Sequence, residues 1–134
     1  MRYAETITRS ISFCDIDFTG VMWHGNYAKY FEDARCRLFE KLGFSYEIIL
    51  AEGYGVPIIS MKIKYMRPCK YNQEINIEAV LEKSEHLLIV KHEMRDARTD
   101  EKVSRAETRH MAFCLRTQKS LLKLPDFILT KVFT

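Results

Sequence analysis

Asp17 and His24 stand seven positions apart in the stretch CDIDFTGVMWHGNYAKYFEDAR, which runs from Cys14 to Arg35. A carboxylate can serve as a general base or a nucleophile. His24 falls at the start of what reads as the longest helix. A helix start exposes unpaired backbone N–H groups and the positive end of the helix dipole. Such groups polarise a carbonyl or hold an oxyanion. A carbonyl held between Asp17 and the helix start is therefore set up for acyl transfer. Each residue also has a plainer reading. Asp17 can be a turn former, His24 a capped histidine, Asp15 a turn residue or solvated charge, and Trp23 a core side chain. A metal set of Cys14, Asp15, Asp17 and His24 is chemically acceptable. If the chain there is extended, Asp15 and Asp17 project to one side and Cys14 to the other. Nothing elsewhere completes such a set, so no metal and no cofactor is expected.

The helix that must position this loop spans about His24 to Leu42. Tyr27, Tyr30, Phe31, Ala34, Leu38 and Leu42 share one face, and Lys29, Glu32, Asp33, Cys36, Arg37 and Glu40 the other. Asp33 and Arg37 are spaced for an ion pair. Asn26 is the expected cap and Gly43 the expected stop. A shorter helix follows at Tyr46 to Ala51. Beyond Gly55 the period changes to two. Strands are expected over 59–65, 74–82, 86–97 and 103–116, with polar turns between them. Tyr3 to Phe13 also reads as a strand, with Ile7, Ile11 and Phe13 in phase. The order strand, long helix, four strands implies an α+β domain with a five-stranded antiparallel sheet. Its edges and open face favour an oligomer.

The composition fits one globular domain over residues 1–134, with hydrophobic residues at 47% and a net charge of +3. That charge is too small for a nucleic-acid footprint, and no apolar run is long enough for a membrane span. The N-terminal MRYAETITRS lacks the apolar core of a signal peptide. Four scattered cysteines without a C-x-x-C pair suit reduced thiols in the cytoplasm.

The spacing D-x-D-x-x-G-x-x-x-H-x-x-Y-x-x-x-x-E-x-x-R, filled by Asp15, Asp17, Gly20, His24, Tyr27, Glu32 and Arg35, resembles the signature of hotdog-fold acyl-CoA thioesterases. More narrowly it resembles their 4-hydroxybenzoyl-CoA thioesterase and YbgC-like branch. The resemblance implies a sheet wrapped around one central helix and hydrolysis of an acyl-CoA to a free acid and CoA. It implies that Asp17 is the catalytic carboxylate and that the His24 backbone N–H is the oxyanion donor. Gly20, Trp23 and Tyr27 are then the substrate-binding residues, while Glu32 and Arg35 are structural. It further implies a homodimer or homotetramer with the site at a subunit interface. The CoA phosphates need cations, for which Lys62, Lys64, Arg67, Lys91, Arg95 and Arg98 are candidates. Phe18, Trp23, Tyr27, Phe31 and Ile59 are candidates for the acyl pocket, with a core role as the default for each. A hotdog hydratase and a non-catalytic acyl-CoA sensor are the alternatives. The spacing from Asp17 to His24 suits hydrolysis better than hydration, and the presence of Asp17 argues against a sensor.

Overall fold

The computed structural model describes residues 3–133. The elements are β1 (Ala4–Ser10), α1 (Tyr27–Leu42), α2 (Tyr46–Ala51), β2 (Tyr54–Gly55), β3 (Ile58–Tyr65), β4 (Glu74–Glu82), β5 (Leu87–Asp96), β6 (Lys102–Met111), β7 (Phe113–Cys114), β8 (Lys119–Ser120) and α3 (Asp126–Val132). The main sheet has the order β1-β4-β5-β6-β3, every neighbouring pair antiparallel. A second small sheet joins β2, β7 and β8. The architecture is the expected hotdog, one long helix laid against a five-stranded antiparallel sheet.

Period-3.6 spacing buries Tyr27, Tyr30, Phe31, Ala34, Leu38 and Leu42 together with Arg35 and Phe39. Period-two spacing buries Ile75, Ile77, Ala79 and Leu81 on β4, and Leu88, Val90, His92 and Met94 on β5. The two stripes meet in one core cluster. Small residues let the layers approach. Ala79 and Ala106 flank His92 across the sheet, and the Phe31 ring sits 5.3 Å from its imidazole. Gly43 ends α1 in the left-handed conformation.

Several expectations need correction. The first strand stops at Ser10; Phe13 is 72% exposed and packs edge-on against Tyr71. His24 to Asn26 form a separate 3₁₀ turn ahead of α1, and the Asn26 side chain makes no cap. Asp33 lies 3.8 Å from Arg9 rather than pairing with Arg37. The last expected strand breaks at Ala112, and Phe113–Cys114 turns away into the small sheet. Helix α3 was not expected, although Asp126-Phe-Ile-Leu-Thr-Lys-Val follows a proline and buries Ile128 and Val132 at i,i+4.

Two histidines lie in the core. His110 donates from Nδ1 to the Val56 carbonyl at 3.0 Å and accepts at Nε2 from the Thr108 hydroxyl at 3.0 Å. His92 has no hydrogen-bond partner at either ring nitrogen among the described residues. Burial, then the Arg35 guanidinium, holds its pKa down to about 3. Burial likewise takes His110 to about 4. Both rings are neutral in the folded chain, while the unfolded chain takes up their protons below the ordinary value of 6.5. Stability is therefore full above that value and is lost as pH falls, by up to about 1.4 kcal/mol per pH unit for each histidine. Urea midpoints measured from neutral pH down to about pH 4 should fall steadily, and His92→Leu should remove roughly one proton's share of that slope.

Candidate active site

The segment between β1 and α1 is a folded loop held by its own backbone. Ile11 pairs with β4's approach, its N–H donating to the Gln73 carbonyl at 3.0 Å. Phe13–Asp15 is a 3₁₀ turn, with the Ser12 hydroxyl oxygen accepting from the Cys14 N–H. Ile16 and Met22 then bridge across a tight reversal in which the Asp17 N–H donates to the Val21 carbonyl at 2.9 Å. Gly20 sits in that reversal at φ +89, a conformation that favours glycine. Gly20 thus shapes the turn, and its Cα faces open space.

The two loop aspartates have opposite environments. Asp17 is partly exposed, and its Oδ1 accepts from the Thr19 N–H at 2.8 Å and the Thr19 hydroxyl at 2.5 Å. These bonds, with the Val21 amide and nearby His24, hold its carboxyl below the ordinary 3.8. Of the two plain readings of Asp15, it is a turn residue, closing the Phe13–Asp15 turn, and not a solvated charge: it is 5% exposed. Its carboxylate accepts from Tyr30 Oη and Lys29 Nζ, each at 2.5 Å. Burial raises the Asp15 pKa, but the Lys29 and Tyr30 hydrogen bonds outweigh it and leave the group below the ordinary value. Hydrogen bonds to a charged group contribute about 1.5–3 kcal/mol each, enough to offset that burial. Burial and the Asp15 carboxylate push Tyr30 up to about 12, so its phenol keeps its proton.

The 3₁₀ turn at His24–Asn26 leaves donors over. Asn26 N–H bonds the Trp23 carbonyl, but neither the His24 nor the Gly25 N–H has a partner among the described residues. The His24 carbonyl accepts from Tyr65 Oη at 2.9 Å, fixing the turn to β3. Beside it lies an open cleft of about 290 Å³ lined by Met22, His24, Tyr27, Tyr65, Met66, Arg67 and Pro68. Tyr27 forms its buried wall, edge-on to Tyr65 with centroids 4.9 Å apart. Burial and the neighbouring Cys69 thiol push its hydroxyl well above the ordinary range.

The fold therefore gathers His24 and Tyr27 at one cleft. It places Asp17 and Gly20 in the adjoining reversal, outside the cleft lining. Trp23 is half exposed rather than core, and its ring lies tilted against His24 with centroids 5.0 Å apart. Phe18 is fully exposed, Ile59 is 51% exposed, and only Phe31 takes the default core role beside Tyr27. Of the candidate cations, Arg67 alone borders the cleft, paired with Glu101 at 2.9 Å. Lys62, Lys64 and Lys91 line a separate groove of about 640 Å³ on the outer face of the sheet. Arg95 pairs with Glu93 and, at 3.6 Å, with Asp100. Arg98 lies in the turn after β5, its N–H bonded to Asp96. No group of three or more His, Cys, Asp or Glu able to hold a metal occurs among the described residues. No helix among them is long and apolar enough to cross a membrane.

The profile of the thioesterase-like superfamily matches residues 11–132. The chain belongs to that superfamily. A relative from Aquifex aeolicus (strain VF5), named provisionally as an esterase, is 25% identical over 121 residues, 90% of this chain and 91% of that one. The crystal structure of Slr0204, a 1,4-dihydroxy-2-naphthoyl-CoA thioesterase from Synechocystis, superposes with a TM-score of 0.86 at 20% identity, covering 96% of this chain and 95% of that one. A mutant 4-hydroxybenzoyl-CoA thioesterase complexed with 4-hydroxybenzoyl-CoA superposes with a TM-score of 0.84 at 18% identity, covering 97% and 99%. The family places the chain among thioester hydrolases of the hotdog fold.

Around this candidate site, Thr19, Gly25 and Tyr65 are residues that the sequence did not single out. A β-carbon on Gly25 would lie 2.2 Å from Trp23 Cζ3, so the indole rests directly over that glycine. The dipeptide His24-Gly25 at a helix start carried the signal, since glycine marks close approach. Gly25→Ala should push the indole outward without unfolding the chain, because the ring has solvent to move into. Trp23 is the chain's single tryptophan, so its fluorescence reads the displacement directly. The emission maximum should shift to the red, with the thermal midpoint changed by a few degrees at most, about 1 kcal/mol.

Proposed function

We propose that the chain is an acyl-CoA thioesterase in which Asp17 is the base or nucleophile and the His24 and Gly25 amides form the oxyanion hole. The observation that carries this reading is the pair of unpartnered N–H groups at the rim of a cleft, with the Asp17 carboxylate held in the adjoining reversal of the same loop. As general base, Asp17 would take a proton from water while the water oxygen attacks the thioester carbon. The carbonyl oxygen becomes an oxyanion held by the two amides. Collapse breaks the C–S bond and gives the acid and CoA thiol. As nucleophile, Asp17 would attack the thioester carbon, and collapse would break the C–S bond, release the CoA thiolate and leave a mixed anhydride that water opens to the acid and the free Asp17 carboxylate. Both routes need Asp17 ionised, as a carboxyl held below the ordinary 3.8 is at neutral pH, and the Thr19 hydrogen bonds fix its direction. Trp23 and Tyr27 are the aromatic groups nearest the acyl end, and Gly20 keeps the reversal tight enough for Asp17 to approach. The free state of all four cysteines is in keeping with action in the cytoplasm.

Asp17→Asn keeps the shape of the side chain and removes its basicity. Thioester hydrolysis across short, long and aromatic acyl-CoAs, followed by thiol release, should drop by roughly 10²–10⁴ with the fold intact. Near-full activity would place the base elsewhere, and turnover of an enoyl-CoA by hydration would favour the hydratase alternative.

The working unit on this reading is a homodimer, with a tetramer built by pairing dimers. Strand β3 is an edge strand and carries Ile58, Ile59, Met61 and Tyr65 at 43–51% exposure. An apolar edge with unpaired backbone groups is a template for a second strand. The other edge, β1, has a polar outer row of Thr6, Thr8 and Ser10. A second copy laid along β3 would cover the apolar side chains and wall the cleft at Tyr65, Met66 and Arg67. Ile59→Lys combined with Met61→Lys should give a monomer by light scattering, with native circular dichroism and little hydrolysis. A dimer that survives both lysines would put the interface elsewhere.

A further inference from the structure

Asp15 touches both ends of the loop that carries Asp17. Its N–H donates to the Ser12 carbonyl at 3.0 Å, at the loop's beginning. Its carbonyl accepts from the Trp23 N–H at 3.0 Å and from Asn26 Nδ2 at 3.0 Å, at the loop's end. Its carboxylate reaches down to α1 and accepts from Tyr30 and Lys29. Tyr30 closes the circuit, because its hydroxyl oxygen accepts from the Ser12 N–H at 3.1 Å. The phenol thus donates to Asp15 and accepts from Ser12 at once. Asp17 lies two residues beyond this hub, and His24 follows directly on Trp23. The separation between the Asp17 carboxylate and the His24 and Gly25 amides is therefore set at Asp15. Of the hub's partners, Lys29 is exposed and held at one end only, whereas Tyr30 is buried and held at both.

We infer that Asp15 and Tyr30 act as a positioning pair for thioester hydrolysis, holding the base and the oxyanion donors in register; the inference rests on the assignment of those roles to Asp17 and to the amides. Neither side chain touches the substrate. Misplacement of a reacting group by about 1 Å can cost roughly 100-fold in rate. A pair that only positions should therefore govern kcat and leave substrate binding almost alone. A pair that only stabilises should change the folded fraction and nothing per folded molecule.

Tyr30→Phe is the cleaner variant, since it keeps the buried ring and removes the shared hydroxyl. Asp15→Asn keeps the size and removes the charge. In each, kcat should fall roughly tenfold to 100-fold while KM stays within about twofold. CoA titrated against Trp23 fluorescence should show an affinity matching the parent chain's. The double variant should lose little more than the worse single one, because the pair acts as a unit. If Asp15→Asn does not fold, the kcat and KM of Tyr30→Phe decide the matter alone. Unchanged kcat in folded Tyr30→Phe, or losses in kcat that add across the pair, overturn the inference. Asp17→Asn measured alongside separates the two failures. An active Asp17→Asn overturns the assignment beneath, and an inactive one beside a fully active Tyr30→Phe overturns the positioning pair alone.

Discussion

Everything in this chain follows from burying one side of α1 in the curve of the sheet. The stripe from Tyr27 to Leu42 has no other place to be covered, and β4 and β5 present the matching row of alternating apolar side chains. Once the helix is seated, its start is fixed at the Tyr65 end of β3. A helical start cannot satisfy its first amides internally. The fold thus delivers unpaired N–H groups to the rim of a cleft as a geometric consequence of core packing. The loop from β1 has to end at the same rim, because β1 lies at one side of the sheet and α1 begins across it.

Two carboxylates two positions apart in that loop take opposite parts. Asp15 turns inward and is held by a phenol and an ammonium. Asp17 turns outward and is held only by its own turn, through Thr19. Both stay ionised, for different reasons. A buried carboxylate needs strong partners to remain charged, and Asp15 has two. An exposed one needs none, and the Thr19 contacts serve chiefly to fix its direction. The loop thereby holds one aspartate rigidly against the helix and leaves the other, the base or nucleophile of the proposed reaction, open to solvent.

Polar groups enter the core where Phe31 and Phe39 of α1 reach His92 on β5 and His110 on β6. Arg35 is 3% exposed, and its Nε donates to Tyr46 Oη at 2.8 Å. Its charge, together with burial, keeps His92 and His110 neutral. This seam runs toward β3, the apolar edge. The buried polar strand residues His92, Ser104, Thr108 and His110 lie on β5 and β6, while a polar outer row lies on the edge strand β1.

The sequence alone determined the long helix, the main strands and an antiparallel α+β domain, because period 3.6 and period two are local properties of side-chain placement; the hotdog arrangement was implied only by the resemblance of the loop motif. It also marked Asp17 and His24, since their types and spacing are legible without coordinates. Only the tertiary structure decided which of the two loop aspartates is buried, for Asp15 depends on Tyr30 and Lys29, a whole turn of folded loop away. The same holds for Trp23, which left the core to lie over Gly25, and for Tyr65, which reaches His24 from 41 residues downstream. Helix α3 and the small sheet of β2, β7 and β8 escaped for the opposite reason: each is too short for its period to stand out, and long-range packing alone makes it regular. Local pattern fixes which elements form, but contacts between residues distant in the chain fix where a charge ends up. The chemistry of this site is of the second kind.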